Sequence, residues 1–265
     1  MTHGAQTEHV VVLLHGLTNC PEQFNLLGSR LFKLGYNVFI PLLPHHGLAE
    51  RMTKELKNIR ASELTEFADR VIDIAHGLGN HVTVCGFSAG GTMTCWLAQN
   101  RPDLYLAIPI SAMLGISFVP ILFTRAISSA LQFMPDFYVW WDPRVKEKII
   151  HSNYYGYPGF PIHALSELWK IGISIRQQAE KHPSAVKEII MIMNDHEPAV
   201  NNAENKKLLA DWRANGNLEL DEFHFDAKLK LPHDIITPST PGLDIDIVYD
   251  ALIRIIHSAL RSPIT

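Results

Sequence analysis

The sequence has few cysteines and no pattern that would pair them. Its three cysteines, Cys20, Cys85 and Cys95, are an odd number and none are spaced as C-x-x-C. Disulfide-stapled domains and zinc knuckles depend on paired or closely spaced cysteines, so the sequence argues against both. Free thiols suit a reducing compartment, and we therefore expect a cytoplasmic protein.

The sequence also shows no basic cluster, and we expect no leader segment. Its 23 Lys and Arg and 27 Asp and Glu give a net charge of -4. No run of basic side chains could follow a phosphate backbone, so we expect no nucleic-acid partner. The N-terminal residues show no charged leader with a long apolar stretch and a small-residue cleavage site, which predicts no secretion signal.

One uncharged stretch, residues 104–124, is long enough to cross a bilayer. Pro109 and Pro120 interrupt it, and its beginning, LYLAIPIS, is typical of a buried parallel strand. We therefore predict a core strand followed by a lid segment, and no stable membrane span.

Short β-rich apolar runs alternate with longer helical patterns over most of the chain. This alternation is typical of βαβ units around a mostly parallel, doubly wound sheet. The predicted strands are residues 9–14, 36–40, 81–85, 104–110, 188–193 and 218–225. The predicted helices are residues 22–34, 62–78, 90–100 and 245–260. A chain of 265 residues is expected to form a single α/β domain, residues 1–265.

Residues 113–175 break this alternation, and we predict that they form a helical lid inserted into the domain. A connection of this length inside a compact domain is usually a lid or a binding loop. Its aromatic side chains either line a lipophilic pocket or simply pack the lid, and both readings stay open. They are Phe118, Phe123, Phe133, Phe137, Tyr138, Trp140, Trp141, Tyr154, Tyr155, Tyr157, Phe160 and Trp169.

The segment Gly86-Phe87-Ser88-Ala89-Gly90 fits the pattern G-x-S-x-G. It follows the apolar strand HVTVC and precedes the small-residue helix start GGTMTCWLA, which is the context that a nucleophilic serine needs. Glycine at both ends leaves room for a strained turn, and the helix N-terminus faces a developing oxyanion. We predict Ser88 as the nucleophile; an ordinary glycine-rich turn is the alternative.

Four parts of the chain carry a likeness to a known family. They are VVVLLHGLTNCPEQF, YNVFIPLLPHHGL, VTVCGFSAGG, and the pair MIMNDHEPAVNN and LPHDIITP. Together they resemble the α/β-hydrolase superfamily, and within it the small-cap carboxylesterases and monoacylglycerol lipases. The resemblance implies an α/β-hydrolase fold with a sheet of about six strands, because the family's first two strands are expected to be missing here.

The loop His15-Gly16 directly after a buried strand matches the oxyanion loop of that family. The resemblance implies that the backbone N–H groups of Leu17 and Ala89 hold the oxyanion. Two preorganised donors in a water-poor site stabilise a tetrahedral intermediate. The side chain of His15 is predicted to brace the loop.

The adjacent histidines His45 and His46 in Pro44-His45-His46-Gly47 raise the question of a metal site. Adjacent histidines without a third ligand at suitable spacing are weak metal ligands. We therefore predict no metal site here. We also predict no cofactor, because acyl transfer by a serine needs none.

The general base is predicted at His233, between the last predicted strand and the final helix. Its partner acid follows the strand EIIMIM, where Glu197 and Asp195 both offer a carboxylate. The family register favours Glu197, and a glutamate can fix the imidazole tautomer as well as an aspartate can. Asp195 stays open as the alternative, and His224 is predicted to be a sheet residue.

The predicted function is hydrolysis of a small-molecule carboxylic ester by Ser88, His233 and Glu197 through an acyl-enzyme. A lipophilic acyl group or a monoacylglycerol-like substrate is expected from the aromatic lid. Thioesterase, amidase, lactonase and C–C hydrolase activities use the same three groups and stay open. A non-catalytic scaffold on the same fold is the rival from another class.

Overall fold

The apolar, β-branched runs of the sequence form a parallel sheet at the centre of the molecule. The computed structural model describes residues 1–117, 134–141, 155–216 and 219–261, with positions 119, 123, 126, 127, 130 and 131. Its strands are β1 (Thr7–Leu14), β2 (Asn37–Phe39), β3 (Gly79–Phe87), β4 (Leu106–Ile110), β5 (Tyr138–Trp140), β6 (Gly159–Pro161), β7 (Glu188–Asn194) and β8 (Leu220–Phe225). Six of them form the central sheet in the order β2-β1-β3-β4-β7-β8, and every pairing is parallel.

Helices cover both faces of this sheet. They are α1 (Asn25–Lys33), α2 (Ala61–Ala75), α3 (Ala89–Asn100), α4 (Ile162–Ala179), α5 (Asn202–Ala214) and α6 (Ile245–Arg261). Helices α1 and α6 pack on one face, and α2, α3, α4 and α5 pack on the other. This layering is the α/β-hydrolase fold that the sequence predicted.

Strand β1 shows why the strand segments are continuously apolar. Val10, Val12 and Leu14 belong to the core under α2 and α3, whereas Val11 and Leu13 belong to the core under α1 and α6. Since successive side chains of a strand point to opposite faces, a strand covered on both faces must be apolar at every position.

The strand order reverses at β1, because β2 lies on one side of it and β3 on the other. At such a switch point, the loops that leave the carboxyl ends of neighbouring strands diverge and open a crevice. The loops after β1 and β3 leave there, and those after β7 and β8 leave from the same edge. This edge therefore brings together segments that are far apart in the sequence.

The six predicted central strands and the four predicted helices are confirmed, with shifted ends. The helix predicted over residues 22–34 begins as a 3₁₀ turn, Pro21–Phe24, before α1. Residue 218, the predicted start of the last strand, lies outside the described residues. Helix α5 was not predicted, and most of α4 lies within the segment predicted as a helical lid. Most of α4 is buried, and α5 buries Glu204 and Asn205, so neither has a simple apolar face opposite a polar one.

The predicted lid, residues 113–175, is described only in part and stays a prediction. Within it β5 and β6 form an antiparallel pair, and α4 crosses the predicted boundary at residue 175. Trp169 and Ile175 of α4 lie in the core shared with α3. Phe118, Phe133 and Tyr154 lie outside the described residues. None of the helices in the described part of the chain is long and apolar enough to span a membrane.

Candidate active site

Ser88 occupies the turn between β3 and α3. Its backbone has φ 55° and ψ -108°, a region that residues other than glycine rarely adopt. Its N–H donates to the Ile110 carbonyl at 2.9 Å, and its own carbonyl accepts from the amides of Thr92 at 2.9 Å and Met113 at 3.1 Å. These bonds hold the strained turn, as is typical of a nucleophilic serine.

The two glycines of the motif are required by close backbone contacts. A Cβ on Gly86 would lie 2.2 Å from the carbonyl oxygen of Gly90. A Cβ on Gly90 would lie 2.0 Å from the carbonyl oxygen of Leu14 and 2.9 Å from that of His15. The loop after β1 therefore packs directly against the serine turn, and any larger residue would push the two apart.

A chain of hydrogen bonds links Ser88 to a histidine and a glutamate. His233 Nε2 lies 3.0 Å from Ser88 Oγ, and His233 Nδ1 lies 2.8 Å from Glu197 Oε1. A carboxylate can only accept, so Nδ1 carries the proton and Nε2 is free to accept from the serine. The structure thus brings together the three residues predicted as nucleophile, base and acid.

Glu197 is held in place by the backbone that follows it. Its Oε1 also accepts from the amides of Ala199 at 2.9 Å and Val200 at 3.3 Å. Burial by itself raises the pKa of Glu197, but the neighbouring His233 and the hydrogen bonds outweigh it, so the pKa lies below its usual value. The carboxyl is therefore ionised at neutral pH.

The alternative acid, Asp195, has a different partner. Its Oδ1 lies 2.7 Å from Nδ1 of His224 on β8, at the edge of the molecule. His224 is thus a sheet residue, as predicted. Of the two candidate carboxylates, it is Glu197 that the structure places against His233.

Asn194, the last residue of β7, was not singled out from the sequence. Its buried side-chain amide donates to the carbonyls of Leu231 and Pro232, each at 3.1 Å. It therefore ties the loop that carries Glu197 to the segment that carries His233. A polar residue at the buried carboxyl end of a parallel strand is the sequence signal that could have revealed it.

The two predicted oxyanion donors lie on either side of the packed contact between the β1 loop and the serine turn. Ala89 is the first residue of α3, so its N–H has no partner within the helix. In the β1 loop, the N–H groups that flank Leu17 are both occupied. Gly16 N donates to Gln23 Oε1 at 2.9 Å, and Thr18 N donates to His46 Nε2 at 3.2 Å.

Two buried histidines brace this loop. His15 accepts from the Leu43 amide at Nε2 (3.1 Å) and bonds the Gly16 carbonyl through Nδ1 (2.9 Å). Burial lowers the pKa of His15 well below its usual value, and burial lowers the pKa of His46 to about 4. Both rings are therefore neutral at pH 7, which lets each accept from a backbone amide. This is the bracing role predicted for His15.

The neighbouring His45 and His46 do not point to a common centre. His45 contacts Glu55 Oε1 at 2.9 Å and Glu63 Oε2 at 3.0 Å, whereas His46 Nδ1 bonds the Pro44 carbonyl at 2.8 Å. Among the described residues no group of three or more metal-binding side chains comes together.

The cysteines beside Ser88 are poor nucleophiles. Cys85 and Cys95 are fully buried. Burial raises the pKa of Cys85 to about 12 and also raises that of Cys95. Both thiols stay protonated at neutral pH, so neither is activated as a nucleophile.

The fold and this arrangement of side chains define a serine hydrolase of the α/β-hydrolase type. The chain belongs to the Hydrolase_4 family, described as serine aminopeptidase S33, whose pattern it matches over residues 5–222. It is 33% identical over 112 residues to a thermostable monoacylglycerol lipase of Bacillus sp. (strain H-257). That alignment covers 40% of this chain and 41% of the lipase, about two-fifths of each.

Solved structures of lipolytic enzymes share the fold. One is described with LipS and LipT, two metagenome-derived lipolytic enzymes (TM-score 0.73, 20% identity, 96% of this chain and 95% of that one). The monoacylglycerol lipase of Paleococcus ferrophilus has a TM-score of 0.70 at 16% identity, covering 97% and 96% of the two chains. A soluble variant of the Saccharomyces cerevisiae monoglyceride lipase has a TM-score of 0.72 at 14% identity, covering 99% and 90%.

Proposed function

We propose that this protein hydrolyses carboxylic esters through an acyl-enzyme, with Ser88 as nucleophile, His233 as general base and Glu197 as the acid that orients it. The observation that carries the proposal is the continuous hydrogen-bond chain from Glu197 through His233 to Ser88. The strained backbone of Ser88 adds support, because such strain persists only where the surrounding structure enforces it.

In the proposed reaction, Ser88 Oγ attacks the ester carbonyl carbon while its proton passes to His233 Nε2. The imidazolium is stabilised by Glu197, and it then gives the proton to the leaving alcohol as the C–O bond breaks. Water, deprotonated by His233, attacks the acyl-enzyme, and Ser88 recovers its proton as the carboxylic acid leaves. No cofactor takes part in this sequence.

The N–H groups of Leu17 and Ala89 are the proposed oxyanion donors. Ala89 stands at the N-terminus of α3, where the helix dipole favours negative charge. The amides on both sides of Leu17 are bonded to buried side chains, so hydrogen bonds hold the loop on either side of the proposed donor. Such a donor contributes about 10²–10³ in rate.

The proposed substrate has a lipophilic acyl group, as in a monoacylglycerol. The lipases named among its relatives support this, and so do the aromatic side chains of the lid proposed for residues 113–175. Among the described rings, Tyr157, Phe160 and Trp169 pack into the core, and Tyr138 and Trp140 are half-buried. Phe137, Trp141 and Tyr155 are exposed, which would let them contact a lipophilic ligand.

Two measurements test the proposal. Ser88→Ala should abolish hydrolysis of p-nitrophenyl esters and labelling by a fluorophosphonate probe. Ser166→Ala removes another buried serine hydroxyl, which donates to the His163 carbonyl, and should leave both unchanged. Esterase activity that survives in Ser88→Ala would overturn the catalytic assignment, and absence of labelling in the native protein would favour a non-catalytic scaffold.

A panel of substrates given to the native protein tests which type of bond is cleaved. Matched acyl esters, thioesters, anilides and lactones compare the ester proposal with thioesterase, amidase and lactonase activity, and a vinylogous diketone tests C–C hydrolysis. For the acyl group, kcat/KM should rise with chain length beyond acetate. A profile that is flat or falls beyond acetate would contradict a lipophilic pocket.

The cellular location of the protein and its partner are also proposals. Cys20, Cys85 and Cys95 are free thiols, which supports a reducing, cytoplasmic location. The expected partner is a small-molecule ester and no nucleic acid. Labelling the thiols with a maleimide in denatured cell extracts would test whether they are reduced, because Cys85 and Cys95 are buried in the folded protein.

A further inference from the structure

Gln23 joins two loops that are far apart in the sequence. It lies in the 3₁₀ turn after the β1 loop and is 2% exposed. Its Oε1 accepts from the Gly16 amide at 2.9 Å. Its Nε2 donates to Asp234 Oδ1 at 3.2 Å and Oδ2 at 3.1 Å, and to Thr237 Oγ1 at 3.4 Å. One buried amide thus connects the oxyanion loop with the segment that follows His233.

The chemistry of the partners fixes the orientation of this amide. The Gly16 N–H can only donate, so it must face the carbonyl oxygen of Gln23. The Asp234 carboxylate can only accept, so it must face the NH₂ group. A glutamate at this position would set one carboxylate against another, and a methionine could make none of these bonds. Glutamine is therefore chemically matched to both loops at once.

Asp234 is itself rigid. Its Oδ1 accepts from the amides of Ile236 at 3.1 Å and Thr237 at 2.9 Å, and its Oδ2 accepts from Thr237 Oγ1 at 2.6 Å. Asp234 directly follows His233 in the chain, so a group that holds Asp234 also limits the movement of the imidazole. On the other side, Gly16 directly precedes Leu17.

We propose that Gln23 is a positioning residue that sets the distance between the oxyanion loop and the loop of the general base. This inference rests on the proposed function. The donor at Leu17 and the base at His233 must act on the same substrate carbonyl from different directions. Small changes in their separation lower the rate without weakening ground-state binding, since a misplacement of about 1 Å can cost about 10²-fold.

The test compares three variants of the whole chain. Gln23→Met keeps the length of the side chain and removes every bond. Thr237→Val removes only the hydroxyl at the far end of the network. Gln99→Met is the matched control, because Gln99 is also buried and bonds the Pro183 carbonyl at 2.9 Å and Trp212 Nε1 at 2.6 Å, on α3 away from these loops.

Each variant is measured with a short p-nitrophenyl ester, and the fluorophosphonate adduct counts the folded, active molecules. Gln23→Met should lower kcat by about 10–100-fold with KM changed less than threefold, because only the transition state uses both loops. Binding of a trifluoromethyl ketone, which mimics the tetrahedral intermediate, should weaken in parallel with kcat/KM. Thr237→Val should lower kcat by about 3–10-fold, and Gln99→Met by less than about twofold.

The outcomes separate this inference from the proposed function. If Gln23→Met and Thr237→Val keep native kcat per labelled molecule, or if Gln99→Met loses as much as Gln23→Met, Gln23 has no positioning role. If the native protein is neither labelled nor active on esters, the proposed function itself is wrong. Should Gln23→Met not fold, Thr237→Val alone decides, and native kcat there would overturn the inference.

Discussion

Replacing Glu197 by glutamine removes a negative charge and keeps the shape of the side chain. In the native site one oxygen, Oε1, accepts from His233 Nδ1 and from the amides of Ala199 and Val200. A glutamine whose carbonyl oxygen takes this position keeps all three hydrogen bonds. The variant therefore isolates the effect of the charge on the imidazolium that forms during the reaction.

The magnitude follows from the 2.8 Å between the charged partners, which attract by about 6 kcal/mol at an effective dielectric constant of ~20. The amide dipole keeps part of this attraction, so we expect a loss of about 3–5 kcal/mol, or about 10²- to 10⁴-fold in kcat. KM should stay close to native, because the imidazolium is absent from the substrate complex.

The assay is steady-state hydrolysis of a short p-nitrophenyl ester, with Asp195→Asn as the control. Asp195 pairs with His224 at the surface, so its variant should stay within about twofold of native kcat. Stability must be measured beside activity, because the amide nitrogen would take the place of Oε2, which has no hydrogen-bond partner among the described residues. If Glu197→Gln keeps kcat within threefold, or if Asp195→Asn shows the large loss instead, the charge of Glu197 does not stabilise the imidazolium.

Three further predictions concern stability. Gly90→Ala places a Cβ 2.0 Å from the carbonyl oxygen of Leu14, so the free energy of unfolding measured in urea should fall by about 3 kcal/mol or more. A fall below about 1 kcal/mol would show that the loop after β1 moves away at little cost. The pKa of His46 is about 4 in the folded protein and about 6.5 in the unfolded chain. Between these two pH values the unfolded chain binds a proton at this residue and the folded protein does not. The contribution of His46 to the free energy of unfolding should therefore fall by about 3 kcal/mol as the pH drops from 6.5 to 4. His46→Gln, which keeps an acceptor for the Thr18 amide, should remove that part of the pH dependence, and an unchanged slope between pH 4 and 6.5 would contradict the assignment. Glu204→Ala leaves the guanidinium of Arg176, whose side chain is 11% exposed, without the buried carboxylate it contacts. The free energy of unfolding should fall by about 3–5 kcal/mol while kcat per labelled molecule stays native. A loss below about 1 kcal/mol would show that the pair contributes little to stability.

Local patterns in the sequence were enough to predict the sheet and the serine turn. A strand such as β1, covered on both faces, must be apolar throughout, and that leaves a visible run of residues. The turn at Ser88 tolerates only glycine at positions 86 and 90, because the nearest atoms are backbone atoms of the same turn and of β1. Both signals come from short segments, so they can be recognised without the rest of the fold.

The pairing of His233 with Glu197 was harder to predict, since two carboxylates follow the same strand and only one faces the imidazole. The choice depended on the register of a related family. Asn194 could be noticed only as a polar residue at the end of a buried strand, and the contacts of Gln23 leave no signal in its own segment. Gln23 meets Asp234 across 211 positions of sequence, so its role depends on the completed fold.

The bounds of helix α4 were hard to predict for a different reason. It is buried over most of its length and lies at the end of a segment predicted as a lid. Its partly exposed positions include the apolar Ile173 beside polar residues such as Lys170, so its helical period is weak. Some aromatic side chains of that segment are buried in the core, as Trp169 is, whereas others are exposed, as Trp141 is. The amino-acid composition of the segment does not distinguish the buried rings from the exposed ones.

The proposed mechanism requires a covalent bond between the acyl group and Ser88. Native protein mixed with a p-nitrophenyl ester should be quenched in acid within one turnover, digested, and examined by mass spectrometry. The peptide that contains Ser88 should gain the mass of the acyl group, and Ser88→Ala should show no such gain anywhere. An acyl group found on another residue, or rapid hydrolysis with no acylated peptide at all, would contradict the mechanism.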